Sequence, residues 1–313
     1  MPLYPVFWKF EMEKTLGQKR NFSLSVVVST TSQLNGLNAS FFDRIFLGNP
    51  FCPKIQDNPV FCSGELERAA TGFPLKEKII LNMPVCPLEE EMVNSAEILN
   101  RAKDIGLKAV CVSTPGFAYW IKKEFPSLKV YFDSFANVYS LQDVRFMKEL
   151  GVIGGLLSCE VDLAEREYIL KNSDLEIITP IAGYIPIAFS RYCFFYPKEL
   201  PENCPNPCQN NCVLSYPGSG QVKQKGRVIY SGKSFFLLEH LGQLQKKGFK
   251  AFRVEGWIMA PEKINKITDL LCGALSEGYN LKQEKEIFGL FPEGLCNGFL
   301  FSGRGMDYCK ENG

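Results

Sequence analysis

Histidine is nearly missing from this chain: His240 is the only one among 313 residues. That scarcity excludes a Cys₂His₂ zinc site and leaves His240 as the sole imidazole for any Ser–His–Asp or Cys–His arrangement. The motifs H-E-x-x-H and G-x-S-x-G are absent as well, so no recognisable protease machinery is supplied. Neither charge sign is in surplus, because 35 Lys and Arg against 34 Asp and Glu leave a formal net charge of +1. Proteins that live on duplex nucleic acid usually carry a basic excess. RNA contact is therefore left to local patches, around Lys223, Lys225 and Arg227 and around Lys246, Lys247 and Lys250. Long apolar runs are missing too. The longest, residues 175–189, is broken by Thr179, Pro180, Gly183 and Pro186 and is too short to span a bilayer. The opening MPLYPVFWKFEMEK lacks a basic start, an apolar run and a small-residue cleavage site. A soluble, cytoplasmic protein without a membrane span is the expectation.

What the chain does hold is apolar material, 46% of its residues against 22% charged, enough for a sizeable core and too much for wholesale disorder. Short apolar runs predict strands at residues 24–29, 44–47, 78–82, 108–113, 129–132, 152–157, 176–181, 228–231 and 251–254. Helical periodicity lies between several of them. One helix carries Met92, Ala96, Leu99 and Ala102 and stops at Gly106. Another is capped by Ser140, buries Val144, Met147 and Leu150, and ends at Gly151. A third is predicted to start at Ser234, carry Leu237, Leu241 and Leu244, and stop at Gly248. A last one opens at Pro261 and runs through Ile264, Ile267 and Leu271 to Gly278. Strand–helix alternation of this length argues for an α/β fold, a closed (β/α)₈ TIM-barrel-like domain over residues 1–313. An open doubly wound sheet has no Gly-rich dinucleotide fingerprint to support it.

One segment, residues 193–224, interrupts the alternation with Pro, Asn, Gly and four cysteines and shows no periodicity. It reads as a functional cysteine-rich insertion. Twelve cysteines in a chain expected to sit in a reducing compartment point to metal or redox work more than to disulfides. The pattern Cys193-FFYPKELPEN-Cys204-PNP-Cys208-QNN-Cys212 can wrap one metal centre. Iron–sulfur clusters and zinc both accept four thiolates, although x₂ loops dominate in zinc knuckles. In a barrel, functional residues gather at the C-terminal strand ends. Cys52, Cys86, Cys159 and the cysteine loop all follow predicted strands and so share that mouth. Cys111 and Cys272 read as core residues, and Cys62 and Cys309 as loop or tail residues.

Several stretches resemble peptidase family U32, the collagenase-like peptidases: ITPIAGYIPIAFSRYC (178–193), FFLLEHLGQLQKKGFKAFRVEGW (235–257), NVYSLQDVRFMKELGVIGGLLSCEVD (137–162) and CNGFLFSG (296–303). FLGNPFCPK resembles a cysteine-bearing turn of the family's UbiV-like branch of iron–sulfur proteins. The resemblance implies a (β/α) barrel with a [4Fe-4S] cluster on Cys52, Cys193, Cys208 and Cys212. Cys204 leaves open whether Cys204 and Cys208 form the x₃ pair instead. It also implies oxygen-independent hydroxylation of an aromatic ring in quinone biosynthesis, with prephenate as hydroxyl source and a UbiU-like heterodimer partner. Alternatives are an RNA base hydroxylase, a non-catalytic iron–sulfur partner subunit and, least supported, a peptidase. The family's R-E-L-S reads here Cys159-Glu160-Val161-Asp162, without the basic residue. Its K-I-E-G-R reads Arg253-Val254-Glu255-Gly256-Trp257.

Glu160 and Glu255, at predicted strand ends, are the candidates for orienting substrate or moving a proton. The structural alternative is that they bond loop amides or pair with Arg191 or Arg304. Phe189, Tyr192, Phe194, Phe195 and Tyr196 around Cys193 either shield a cluster or line a groove for a small aromatic or prenylated substrate. His240, beside an apolar stripe, reads as a packed residue.

Overall fold

Eight short strands supply the frame. They are β1 (Ser23–Val28), β2 (Arg44–Leu47), β3 (Ile79–Asn82), β4 (Ala109–Val112), β5 (Lys129–Phe132), β6 (Val152–Leu156), β7 (Glu176–Gly183) and, later in the chain, Ala251–Glu255. The computed structural model describes residues 21–51, 76–193, 195, 211–216, 220–277, 279–301 and 304–310. Each of the eight strands pairs in parallel with its neighbour, and Ala251–Glu255 pairs with both β1 and β7, so the sheet closes into a barrel. A parallel barrel covered by helices buries both faces of each strand. This is why Ile79–Asn82 and Ala109–Val112 are buried at every position and read as unbroken apolar runs.

Helices return the chain between strands: α1 (Thr31–Gly36), α2 (Met92–Asp104), α3 (Pro115–Glu124), α4 (Leu141–Glu149) and α5 (Leu163–Asn172). Their ends are specified locally. Thr114 caps α3 ahead of Pro115, and Ser140 and Asp143 form a capping box on α4. Gly106 and Gly151, at φ of 85° and 81°, stop α2 and α4 in the left-handed conformation that costs glycine least. Gly155 meets a different demand. A Cβ there would stand against the carbonyl oxygen of Phe132 and 2.5 Å from its ring, so β5 and β6 can approach only with glycine at this position. Gly155→Ala is expected to lower stability by about 1–3 kcal/mol, seen as an earlier urea midpoint with unchanged m.

After β7 the chain leaves the barrel to build a second sheet. β8 (Pro186–Phe189), β9 (Asn211–Tyr216), β10 (Gly220–Lys225) and β11 (Val228–Ser231) pair antiparallel in the order β8-β11-β10-β9. The predicted strand 228–231 therefore exists, but as β11 of this sheet and not of the barrel. The segment expected to lack periodicity contains β9 and β10, and Cys212 sits on β9 opposite Gln224. The helix expected to start at Ser234 begins later. Residues Ser234–Phe236 form β12, whose Phe235 and Phe236 pair with Gly183 and Ala182 of β7. A 3₁₀ turn then leads into α6 (Leu241–Lys246), which precedes β13 (Ala251–Glu255). The apolar run FFLL fits either structure, and the open edge of β7 decided it. The chain continues with α7 (Pro261–Glu277), α8 (Leu281–Leu290), β14 (Leu295–Cys296) beside β12, and α9 (Gly298–Phe301).

Candidate functional site in the barrel lumen

Side chains on non-adjacent strands can meet only through the lumen, and two polar layers do so. The lower layer starts at Arg44 on β2, which donates to Glu176 Oε1 on β7 at 2.6 Å and to Ser23 Oγ on β1 at 2.6 Å. Its guanidinium also lies 5.7 Å from the ring centroid of Tyr131 on β5. These groups lie towards the strands' N-terminal ends, where residues serve stability more than chemistry.

The upper layer lies at the C-terminal ends. Arg253 on β13 is fully buried. It donates from Nε to Glu255 Oε1 at 2.7 Å, from Nη2 to Glu255 Oε2 at 3.0 Å, and from Nη1 across the barrel to Asp133 Oδ2 at 3.1 Å. Trp257 Nε1 donates to Glu255 Oε2 at 2.7 Å, and Ser134 Oγ to Asp133 Oδ1 at 3.0 Å. The guanidinium carbon lies 5.0 Å from the ring centroid of Phe46. Arg253 and Glu255 are two residues apart on one strand and so point the same way, which lets them form the fork.

One guanidinium against two carboxylates leaves this buried group a formal −1. Burial is the largest influence on Glu255 and pushes its carboxyl pKa up. Arg253 opposes that rise, Asp133 adds to it, and the bond from Trp257 opposes it. Burial also works against the charge of Arg253, but Glu255 and Asp133 outweigh it and hold its pKa above the ordinary value. Cys111 on β4 lies beside the group; burial, then Asp133, pushes its thiol well up, which suits the core position expected for it. The arrangement places a carboxylate of raised proton affinity at the base of a covered site.

Aromatic rings cover the mouth. Phe51 packs on Phe135, Trp257 and Phe189 at centroid distances of 5.1, 5.5 and 6.1 Å, and Phe135 on Phe189 at 5.9 Å. Phe51 and Trp257 are buried, while Phe135 and Phe189 are half-buried. Beyond β8, Arg191 ties the chain down by donating to the Cys86 carbonyl at 2.6 Å and pairing with Glu91 at 3.3 Å.

Of the two carboxylates expected at the site, only Glu255 joins the lumen group. Its partner is Arg253, not Arg191 or Arg304. Glu160 is exposed and accepts a bond from Tyr139 Oη at 3.0 Å. A basic residue six positions after Glu160, Arg166, lies on α5. Arg166 is fully buried and donates to the carbonyls of Ser158 and Val161 at 2.7 and 2.8 Å. Burial pulls its pKa down to about 10. Asp133 and Arg253 were not read from the sequence as site residues. A charged residue inside the apolar strand AFRVE, two before an acid, is the signal that could have found Arg253.

Among the cysteines expected to bind a cluster, Cys193 is 4% exposed and Cys212 is half-buried, its Sγ 3.4 Å from Gln224 Oε1. Cys52 and Cys208 lie outside the described residues, as do Cys204 and Cys62. Two thiols on one insertion, one of them buried, fit the donor chemistry of an iron–sulfur cluster. Among the described residues no three His, Cys, Asp or Glu side chains are grouped to hold a metal ion. Tyr192 is 73% exposed. His240 is buried against the ring of Phe301, with Nε2 3.0 Å from the Cys309 carbonyl, and ties down the segment after β14. No described helix is long and apolar enough to cross a membrane.

This is a (β/α)₈ barrel protein with an acid–guanidinium site beneath an aromatic mouth. The chain belongs to peptidase family U32, whose profile matches residues 30–308. It is 25% identical over 195 residues to tRNA hydroxylation protein P of Escherichia coli (strain K12), a match covering 60% of this chain and 42% of that protein. It is 23% identical over 193 residues to the protein of the same name from Haemophilus influenzae (strain ATCC 51907 / DSM 11121 / KW20 / Rd), again 60% of this chain and 42% of that one. The matched part is thus about two-fifths of the length of these relatives. A solved U32 peptidase, Mk0906, is similar over 58% of this chain and 73% of its own, with a TM-score of 0.41 and 14% identity.

Proposed function

We propose that this chain supports hydroxylation of an RNA base, with an iron–sulfur cluster held by Cys52, Cys193, Cys208 and Cys212. The observation that carries the reading is the likeness to two tRNA hydroxylation proteins over three-fifths of the chain. Between the two substrates expected from the sequence, a quinone ring and an RNA base, that likeness favours RNA.

The site suits the chemistry. Enzymes that act on a base take it out of the stack and hold it against aromatic or apolar side chains. Phe135 and Phe189 offer half-buried rings at the mouth for such a base. Below them Glu255 is oriented from two sides, by Arg253 and by Trp257, and burial raises its pKa, which makes it the candidate to accept a proton from a ring oxygen or nitrogen. Asp133 holds the far side of the guanidinium, and the aromatic cover excludes water. A bound cluster supplies one-electron chemistry. Prephenate, the hydroxyl source that the resemblance implies, would need its cation elsewhere, because Arg253 is committed to Glu255 and Asp133. RNA and a UbiU-like partner chain are the proposed partners.

The test is nucleoside analysis of tRNA and ribosomal RNA from a strain lacking the gene, grown without oxygen. A hydroxylated nucleoside should disappear, return with the wild-type gene, and stay absent with Glu255→Gln. Intact nucleosides together with a missing hydroxylated quinone would overturn the RNA reading in favour of the quinone ring.

A further inference from the structure

A second polar group stands at the rim of the mouth, separate from the lumen. Tyr184 directly follows β7, the seventh barrel strand, and is buried. Lys263 lies in the first turn of α7, which follows β13, the eighth. Lys223 comes from β10 of the antiparallel sheet. The Lys223 ammonium lies 3.7 Å from the Tyr184 ring centroid. The Lys263 ammonium lies 5.5 Å from it, 4.0 Å from the Phe291 centroid and 3.4 Å from the Tyr184 hydroxyl. Two cations thus flank one tyrosine ring.

Among the described residues one carboxylate answers them. Glu293 accepts from Lys223 at 3.0 Å and from the Tyr184 hydroxyl. Two ammonium groups against one carboxylate leave a formal +1. Lys263 has no carboxylate at ion-pair distance among the described residues. It faces aromatic rings, which attract a cation but do not neutralise it. Burial is the main cause that lowers its pKa; Glu293 opposes the fall and the like charge of Lys223 deepens it. A half-buried positive surplus of this kind is relieved by an anion.

The position favours one anion class. In (β/α)₈ barrels a phosphate site is often built from the loops after the seventh and eighth strands and a nearby helix N-terminus, whose dipole also favours negative charge. Lys225, two residues from Lys223 on β10, lies on the same face of that strand and extends the cationic line.

We propose that Lys223 and Lys263, flanking Tyr184 at the rim of the barrel mouth, form a binding site for a phosphoryl group. Glu293 holds Lys223 directly and Tyr184 through its hydroxyl, and competes with the ligand for Lys223. As a contact for an RNA backbone phosphate the site rests on the RNA reading above. As a site for the phosphate of a small molecule it does not.

Two measurements separate these sources on the full-length chain. The first is tRNA affinity across a salt series, for wild type, Lys223→Gln/Lys263→Gln and Glu293→Gln. The double variant should bind about tenfold more weakly, with a salt slope smaller by about one. Glu293→Gln should bind several-fold more tightly, an effect that a merely structural role for the lysines would not produce. The second is ³¹P line broadening of inorganic phosphate, which wild type should cause and the double variant should not. Phosphate binding that the double variant loses, with no tRNA binding by wild type, would keep the site and remove the RNA reading. Equal tRNA affinity and slope in wild type and double variant, with phosphate broadening unchanged or absent, would overturn the site. If the double variant fails to fold, Glu293→Gln decides alone, and unchanged or weaker tRNA and phosphate binding there counts against the proposal.

Discussion

Replacing Arg253 with methionine is expected to remove about 3–5 kcal/mol of stability at neutral pH, read from the urea midpoint. The cost comes from what is left behind more than from the bonds lost. Glu255 and Asp133 are 1% and 4% exposed, and without the guanidinium both would be buried carboxylates with no countercharge. Glu255 would take up a proton more readily still, because the guanidinium that opposes the rise of its pKa would be gone. A carboxyl whose folded pKa is raised contributes stability that is present below its unfolded pKa and is lost as pH rises through the folded one. Glu255 already carries a shift of that sign in the wild-type protein. The deficit of Arg253→Met should therefore shrink as pH falls from 8 to 5. Adding Glu255→Gln and Asp133→Asn should recover part of it at pH 8, because neutral amides of similar shape need no counterion. A variant as stable as wild type at pH 8 would refute the account of the lumen as a compensated charge group.

Anaerobically purified protein is expected to carry about four iron and four sulfide per chain, and the Cys193→Ala protein almost none. Cys193 is the best placed of the expected ligands that can be located. It is buried in an insertion that Arg191 anchors to the mouth through the Cys86 carbonyl and Glu91. Cys272 on α7 packs against the core and Cys309 contributes its backbone to the His240 contact, so alanine at either position should leave the iron in place. Cys212 and Cys204 carry the remaining choice. If the pair is Cys208 and Cys212, the thiol of Cys212 must give up Gln224 and Cys212→Ala should lose iron. If iron survives Cys212→Ala and disappears in Cys204→Ala, the pair is Cys204 and Cys208. Stoichiometric zinc without iron would sink the cluster altogether.

All eight barrel strands were legible as short apolar runs, and the runs are clearest where a strand is buried on both faces, as in AVCV and IILN. The same signal misplaced Val228–Ser231. That run is apolar enough for a barrel strand, but its partners are β8 and β10. It could not separate β12 from a helix either, since FFLL suits both until β7 offers an edge. The hairpin of β9 and β10 went unread because polar residues dominate GQVKQK and NCVLSY lacks a regular apolar alternation.

Local chemistry was written where local rules act. Ser140 with Asp143, Thr114 with Pro115, and the glycines at 106 and 151 set helix ends through contacts within a few residues. The strand-end position of Glu255 followed from the same kind of reading, as did the thiol-rich insertion. The partnership that gives Glu255 its properties did not. Arg253 and Asp133 are 120 residues apart, and neither has a sequence pattern that names the other. Lys223 and Glu293, and Lys263 and Tyr184, are likewise distant in the chain and adjacent in space. Periodicity and capping depend on neighbours along the backbone, so the amino-acid order alone determined the barrel and its helix ends. Which charges compensate one another depends on where barrel closure brings opposite strands, and only the tertiary structure decided that.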